Sequence, residues 1–581
     1  MRKLASLLPF ALFLSASLRP ALAEGADTII SNARIYTCAD SGPRWASAMA
    51  IKDGRILAVV SDGKDKQAAE NLQSLAGSRT RKINAAGRLI LPGFQDCHIH
   101  LEEGAVELSQ CRLNSAKQPA DVLTSLRRYS LNHPGNTGKG NKWIIAAGLP
   151  LPTVLAAEKA GIKVDHNFLD QAVADRPLII YSEDAHTCWL NSKAIKAAKI
   201  TAASQAPCHG LLELDSKGAP SGRLQEGAMS LAAKAVPSPP LKERLQALQK
   251  AVALANSFGI TAIQDAHATD EVLSTYKALA TKKQLNLKIC AALHTGTLKN
   301  KAHYARLERQ RRQYSYGRLR VIAAKIFADG VVETGTAALL SRYINEPKAL
   351  GNLNYSQEEL AAMIGELDRR HFQIHVHAIG DRAVKLTLNS LEQAMLKNTA
   401  WPRRHHIAHL ELVDATDLER FSALGVTANC QCLWAFQDPY IKELTIPRLE
   451  EDRTSRVYPF ASLAAAGARL CAGSDWTVSS MNPLEAMQVA VTRQPADGSD
   501  ETPLNQQEAL SLEQIVRAYT TGGAWINYQE ESTGSLEAGK AADFIMLDKN
   551  IFNLPPKEIS QARVLCTVLD GREVFGSLEP Q

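Results

Sequence analysis

This chain is notable first for what it has little of. Its formal net charge is only +6 over 581 residues, and no block of one sign stands out, so neither nucleic acid nor an anionic membrane is implied as a partner. The densest basic stretch, residues 306–320, also carries Glu308 and several apolar residues and reads as a solvated helix face. Beyond residue 23 no stretch is long and apolar enough to cross a bilayer. The ten cysteines form no tight framework. Cys97, Cys290, Cys430, Cys432 and Cys471 lie in apolar strand-like runs, as small buried hydrophobes do. Cys111, Cys188 and Cys208 share a loop-rich region where a bridge could form but cannot be assigned. No cluster of charge announces an acidic or a basic ligand.

Residues 1–23 stand apart. Arg2-Lys3, an apolar run from Leu4 to Leu18 and small residues at Ala21 and Ala23 have the form of a cleaved secretory leader. The mature protein is therefore expected to be exported, either periplasmic or secreted.

After the leader, Thr28–Tyr36, Ala48–Val60 and Lys82–Ile90 have strand texture, with Asp53-Gly54 as a hairpin signal. The far end repeats the pattern in Ala542–Leu547 and Val564–Phe575, with a second such turn at Asp570-Gly571. Residues 24–90 and 531–581 are therefore expected to build one small composite β-sandwich domain. Between them, residues 91–530 alternate apolar strands with amphipathic helices such as Leu241–Phe258, stopped by Gly259. Strands are predicted at Phe94–His100, Thr261–Asp265, Leu287–Leu293, Val321–Phe327, Gln373–Ala378, His406–Glu411, Thr427–Cys432 and Arg469–Ser474. That set closes an α/β fold of the (β/α)8 TIM-barrel type, whose sites lie at the carboxyl ends of the strands. The first crossover, about residues 101–240, is too long for the motif and is expected to be an insertion leaning over the barrel mouth.

The strand ends carry chemistry. His98 and His100 are two apart at the end of the first strand, so both rings can face one space. Lys325, His375 and His377, His409 and Asp475 sit at or near the ends of strands four, five, six and eight. Imidazoles plus a carboxylate suit zinc or another borderline divalent ion. A carbohydrate hydrolase would need paired carboxylates at these ends, and Asp475 has no evident acidic partner.

These residues lie in segments that resemble the amidohydrolase superfamily, and within it amidohydrolase family 3, the group that includes N-substituted formamide deformylases. The segments are Leu91-Pro-Gly-Phe-Gln-Asp-Cys-His-Ile-His100, Lys325-Ile-Phe-Ala-Asp-Gly330, His375-Val-His-Ala-Ile-Gly-Asp-Arg382, Ala472-Gly-Ser-Asp-Trp476 and Gly534-Ser-Leu-Glu-Ala-Gly-Lys-Ala-Ala-Asp-Phe544. The resemblance implies that His98, His100, His377, His409 and Asp475 are metal ligands. It implies further that Lys325 matches a lysine which, when carboxylated, bridges two metals; unmodified, it would pair with Asp329. The cofactor implied is a divalent metal, zinc first, as one or two ions.

Two departures bear on this. Ala408 precedes His409 where many relatives have Glu, and His375 shares a face with His377, which is preferred because it adjoins Ala-Ile-Gly-Asp. By the same likeness His186 and Glu226 in the insertion are pocket candidates; Trp476, Trp434, His267 and His294 fall just past barrel strands as further candidates, Trp476 foremost, with a packed barrel rim as the other reading of the tryptophans. The activity implied is metal-dependent hydrolysis of a non-peptide carbon–nitrogen bond in an N-formyl, N-acyl or cyclic amide, by metal-activated hydroxide, with Asp475 as catalytic proton shuttle. The alternative is a non-catalytic metal-binding or regulatory protein on the same scaffold. The partner expected is a small-molecule amide, with a homodimer left open.

Overall fold

The computed structural model describes residues 25–62, 66–133, 143–206, 210–296, 300–346, 348–500 and 502–579; the leader expected at residues 1–23 and Cys208 lie outside them. Eight short apolar runs supply the central strands: β1 (Phe94–Ile99), β2 (Ile260–Ala268), β3 (Lys288–His294), β4 (Leu319–Phe327), β5 (Gln373–Ala378), β6 (His406–His409), β7 (Thr427–Cys430) and β8 (Leu470–Ala472). They pair in sequence order, each neighbour parallel, as the TIM-barrel reading requires. Parallel neighbours need a long crossover, and amphipathic helices provide it. In helix Gln357–Arg369, Ser356 and Glu359 close a reciprocal cap, and Leu360, Met363, Ile364 and Leu367 bury one face. Helix Leu241–Ser257 ends at Gly259, whose φ of +82° suits a residue without a Cβ. Leu248, Val252 and Ala255 of its apolar stripe are buried, whereas Leu241 in the first turn is exposed.

The ring closes between the last strand and the first. Just past β8, Asp475 N–H donates to the His98 carbonyl oxygen at 2.7 Å, and Ser474 N–H donates to Asp96 Oδ1 at 3.0 Å. Gly473 permits this approach, since a Cβ there would lie 2.4 Å from His98 N.

Strands from both chain ends merge into one nine-stranded sheet, joined where Leu89–Pro92 pairs antiparallel with Phe544–Leu547. The sheet curls around a shared core that includes Ile30, Met49, Ile83, Phe544 and Val568. Arg81 near one end of the strand order forms an ion pair with Glu573 at the other. Both predicted turns have positive φ at each central residue, Asp53 (49°) and Gly54 (74°), Asp570 (48°) and Gly571 (72°), as their turn type demands. The two turns pack on each other. Lys288 and Arg318, at the amino-terminal ends of β3 and β4, pair with Asp543 and Asp570, so this sheet docks on the barrel face away from the predicted site.

The insertion contains a six-stranded sheet running from Leu211–Leu214 through Pro220–Gln225, Thr187–Leu190, Leu178–Ser182 and Ile144–Leu149 to Cys111–Arg112. Separate apolar clusters cover it, one around Leu126, Ile180 and Trp189, the other around Ile179, Leu190 and Leu224. Cys111 and Cys188 are buried free thiols, not a bridged pair. No helix among the described residues is long and apolar enough to cross a membrane.

Two glycine substitutions test this account by thermal unfolding. Gly473→Ala must push β8 from β1 and is expected to cost about 1–3 kcal/mol, as overpacking does. Gly365→Ala, in helix Gln357–Arg369 with open space around it, is expected to add about 0.5–1 kcal/mol from helix propensity. Equal melting of the two variants would contradict the closing contact.

Candidate metal centre

The carboxyl ends of the strands bring the predicted side chains to one place. Alternation along β1 turns His98 and His100 toward the barrel mouth, with ring centroids 5.6 Å apart. Past β6 and β8 the backbone turns sharply. His409 (φ 80°), Leu410 (φ 54°) and Asp475 (φ 53°) all occupy the left-handed region, which costs on the order of 1 kcal/mol or more per non-glycine residue. That cost aims His409 and the Asp475 carboxylate at the same point.

Asp475 is the hub. Its Oδ1 lies 3.1 Å from His100 Nε2 and 3.6 Å from His98 Nε2, and its Oδ2 lies 3.8 Å from His409 Nδ1. One ligand atom each from His98, His409 and Asp475 fall within 4.8 Å of one another. Lys325 Nζ is 3.4 Å from His98 Nε2, and the His377 ring lies 4.5 Å from that of His409. His377 Nε2–H donates to the Gly330 carbonyl oxygen at 3.2 Å, so this histidine flanks the tight trio instead of pointing into it.

The chemistry of these donors fits a cation. Burial, reinforced by Lys325 and neighbouring imidazoles, holds His98, His377 and His409 well below the usual histidine range, so they are neutral and keep a lone pair. His409 Nδ1 is buried and makes no hydrogen bond, an arrangement that costs free energy unless something binds there. Burial also lowers Lys325 to about 7, where the neutral amine is populated. For His100, burial works downward, but Asp475 and Glu103 outweigh it and raise the group to about 10.

His375 lies one layer below. Its Nε2 meets His98 Nδ1 at 3.0 Å, and its ring sits 4.0 Å from that of His406. It orients the His98 ring, while His377 occupies the mouth. Asp329 accepts the backbone N–H groups of Ala338, Ile379 and Gly380, so its carboxylate serves that loop and not Lys325. Beside Ala408, Gln431 Oε1 accepts the His409 N–H at 2.8 Å and steadies the strand end.

Above the cluster opens a cavity of about 720 Å³ with His377, His409 and Asp475 in its wall. His186 and Glu226 from the insertion meet at 2.9 Å, with His186 5.4 Å from the His377 ring and also in that wall. Trp476 does not line the cavity; its ring packs against Gly104, and its carbonyl oxygen accepts the His100 N–H. Trp434 does line the cavity, stacked on His409 at 5.3 Å with the rings parallel to within 1°. His267 pairs with Glu103 at 3.1 Å, and His294 lies behind it.

A parallel barrel with imidazoles, a lysine and an aspartate at the strand ends is the architecture of a metal-dependent hydrolase. The profile described as the amidohydrolase family matches residues 81–575, and the chain belongs to that family. It is 28% identical to the putative amidohydrolase YtcJ of Bacillus subtilis, over 93% of this chain and 98% of that protein. It is 23% identical to the N-substituted formamide deformylase of Arthrobacter pascens, over 94% and 97%. Its fold matches that of an uncharacterized metal-dependent hydrolase from Pyrococcus horikoshii with a TM-score of 0.70, 22% identity and coverage of 91% and 99%.

Elemental analysis of purified variants checks the centre. His98→Ala and His409→Ala are expected to lose the metal, and His375→Phe to weaken its binding about 10–100-fold through the misoriented His98 ring. Parent-like metal affinity in His375→Phe would remove its positioning role.

Proposed function

We propose that this protein is a metal-dependent hydrolase of non-peptide carbon–nitrogen bonds, acting on N-formyl, N-acyl or cyclic amides. The observation that carries the reading is the meeting of His98, His409 and Asp475 within 4.8 Å at the mouth of a parallel barrel. The name of the deformylase relative supports the choice of bond. His98, His409 and Asp475 would hold the cation, joined by His100 and His377 once these gave up their present partners, the Asp475 carboxylate and the Gly330 carbonyl oxygen, with Lys325 alongside. A divalent ion there, zinc first, supplies Lewis acidity that lowers the pKa of water and polarises a carbonyl oxygen.

The chain's own residues supply the rest. Asp475 accepts a proton from the attacking water and returns it to the leaving nitrogen, which otherwise would depart as an unstable amide anion. Lys325, buried and close to its neutral form, is able to take up carbon dioxide; carboxylated it accommodates two cations, unmodified only one. For His186 burial acts downward, but Glu226 raises it to about 9, so its ring offers a cationic N–H to the substrate at the cavity wall. The Trp434 face beside His409 excludes water and packs the acyl or amine substituent. The leader-like residues 1–23 support export of the mature enzyme.

A panel of N-formyl, N-acyl and cyclic amides, assayed with measured metal content, tests the proposal. Asp475→Asn is expected to lower kcat about 10²–10⁴-fold, the usual weight of a positioned proton carrier. Parent-level turnover by that variant would rule out the shuttle. A metal-loaded parent that hydrolyses nothing in the panel would instead mark a scaffold that binds a cation without turnover. Intact mass, heavier by one carbon dioxide or not, decides the state of Lys325.

A further inference from the structure

The cavity above the metal centre is acidic, although the chain as a whole is net positive at +6. Glu183 and Asp184 enter it from the insertion, Glu333 from the segment after β4, Glu411 from the turn after β6 and Asp438 from the segment after β7. No lysine or arginine is among the described residues that line it. The one cationic side chain in the wall, His186, is already neutralised by Glu226 at 2.9 Å. Aromatic faces complete the enclosure: Trp434, Phe436, Tyr440 and Tyr458 share the same wall.

Among the described residues, these carboxylates form no ion pair. Glu183 accepts from Asn114 Nδ2 and the Tyr440 hydroxyl, Glu411 only a long 3.4 Å bond from Thr445, and Asp438 the Ile441 N–H. Asp184 takes Ser182 and the His186 N–H on one oxygen, leaving Oδ2 buried and without a partner. Burial first, then Asp184 and Asp438 for Glu333 and Glu183 for Asp438, pushes both groups up to about 7. Carboxyl groups kept partly protonated by burial ionise when a cation enters among them, and the cation also meets their unused hydrogen-bonding capacity. Aromatic faces add attraction for the same kind of ligand. The cavity opens directly on the metal centre, with His377, Asp475 and His409 in its wall, the last only 2% exposed with its Nδ1 unpaired.

Resting on the hydrolase reading of this site, we propose that the substrate is cationic: an amide whose carbonyl reaches the metal centre and whose amine, guanidine or quaternary ammonium group lies among Glu333, Asp438 and Asp184. A monoacylated diamine is the simplest member of that class. Its hydrolysis consumes one water, breaks the acyl C–N bond, and yields the carboxylic acid and the free diamine.

The test compares N-acetyl-1,4-diaminobutane with N-butylacetamide, which has the same acyl group and the same alkyl chain without the second amine. The metal-loaded full-length enzyme is expected to prefer the cationic amide by about 100-fold in kcat/KM, and Glu333→Gln or Asp438→Asn to reduce that ratio about tenfold each, the weight of one charge-assisted contact. Equal rates for the two amides, or a preference for the neutral one, would overturn the inference while leaving the hydrolase reading intact. If neither amide is cleaved, calorimetry with 1,4-diaminobutane and tetramethylammonium still decides. Saturable binding that weakens in Glu333→Gln and Asp438→Asn supports a cation site even where the hydrolase reading has failed. Absence of binding to the parent overturns it.

Discussion

The seam between β8 and β1 is the contact on which this molecule depends. Asp475 N–H donates to the His98 carbonyl oxygen, so the backbone bond that closes the ring also places the Asp475 carboxylate against His98 and His100. Asp96 ties the same seam from below, its Oδ1 accepting both the His98 and the Ser474 N–H groups. Barrel closure and assembly of the centre are thus one event. A chain with the ring open would hold its imidazoles and its carboxylate on separate edges.

Such a centre is costly for the protein that carries it. Neutral imidazoles crowd together, a lysine is buried near its neutral form, and His409, Leu410 and Asp475 sit in unfavourable backbone regions. The remainder of the fold offsets that cost. A continuous apolar core surrounds the strands, and the composite sheet clamps the opposite barrel face through Lys288–Asp543 and Arg318–Asp570. The insertion adds the upper wall, with Tyr440 from the barrel side donating to Glu183 from the insertion. Rigid support below and a covered mouth above allow a strained cluster to persist.

Much of this was legible in the residues. Strand period alone pairs His98 with His100, and the eight strands emerge from apolar runs separated by helical stripes. Asp53-Gly54 and Asp570-Gly571 announce their turns because few other residues accept positive φ at both central positions. Reading failed where a side chain's direction depends on a local bend. Trp476 follows β8 and was expected in the pocket, but the left-handed turn at Asp475 sends its ring to Gly104. Trp434 reaches the pocket only because the segment after β7 folds back over His409. His375 and His377 share one strand face and are separated by depth, which periodicity does not encode.

By itself the sequence determined the barrel and the composite sheet, which follow from local period and turn chemistry, and named the candidate metal-binding side chains through short motifs that resemble a family. Tertiary structure alone decided the character of the cavity. Its carboxylates come from segments far apart in the chain, each unremarkable among its neighbours in sequence. Electrostatic potential depends on distance through space, so an acidic wall inside a net-positive protein exists only once the loops are folded together.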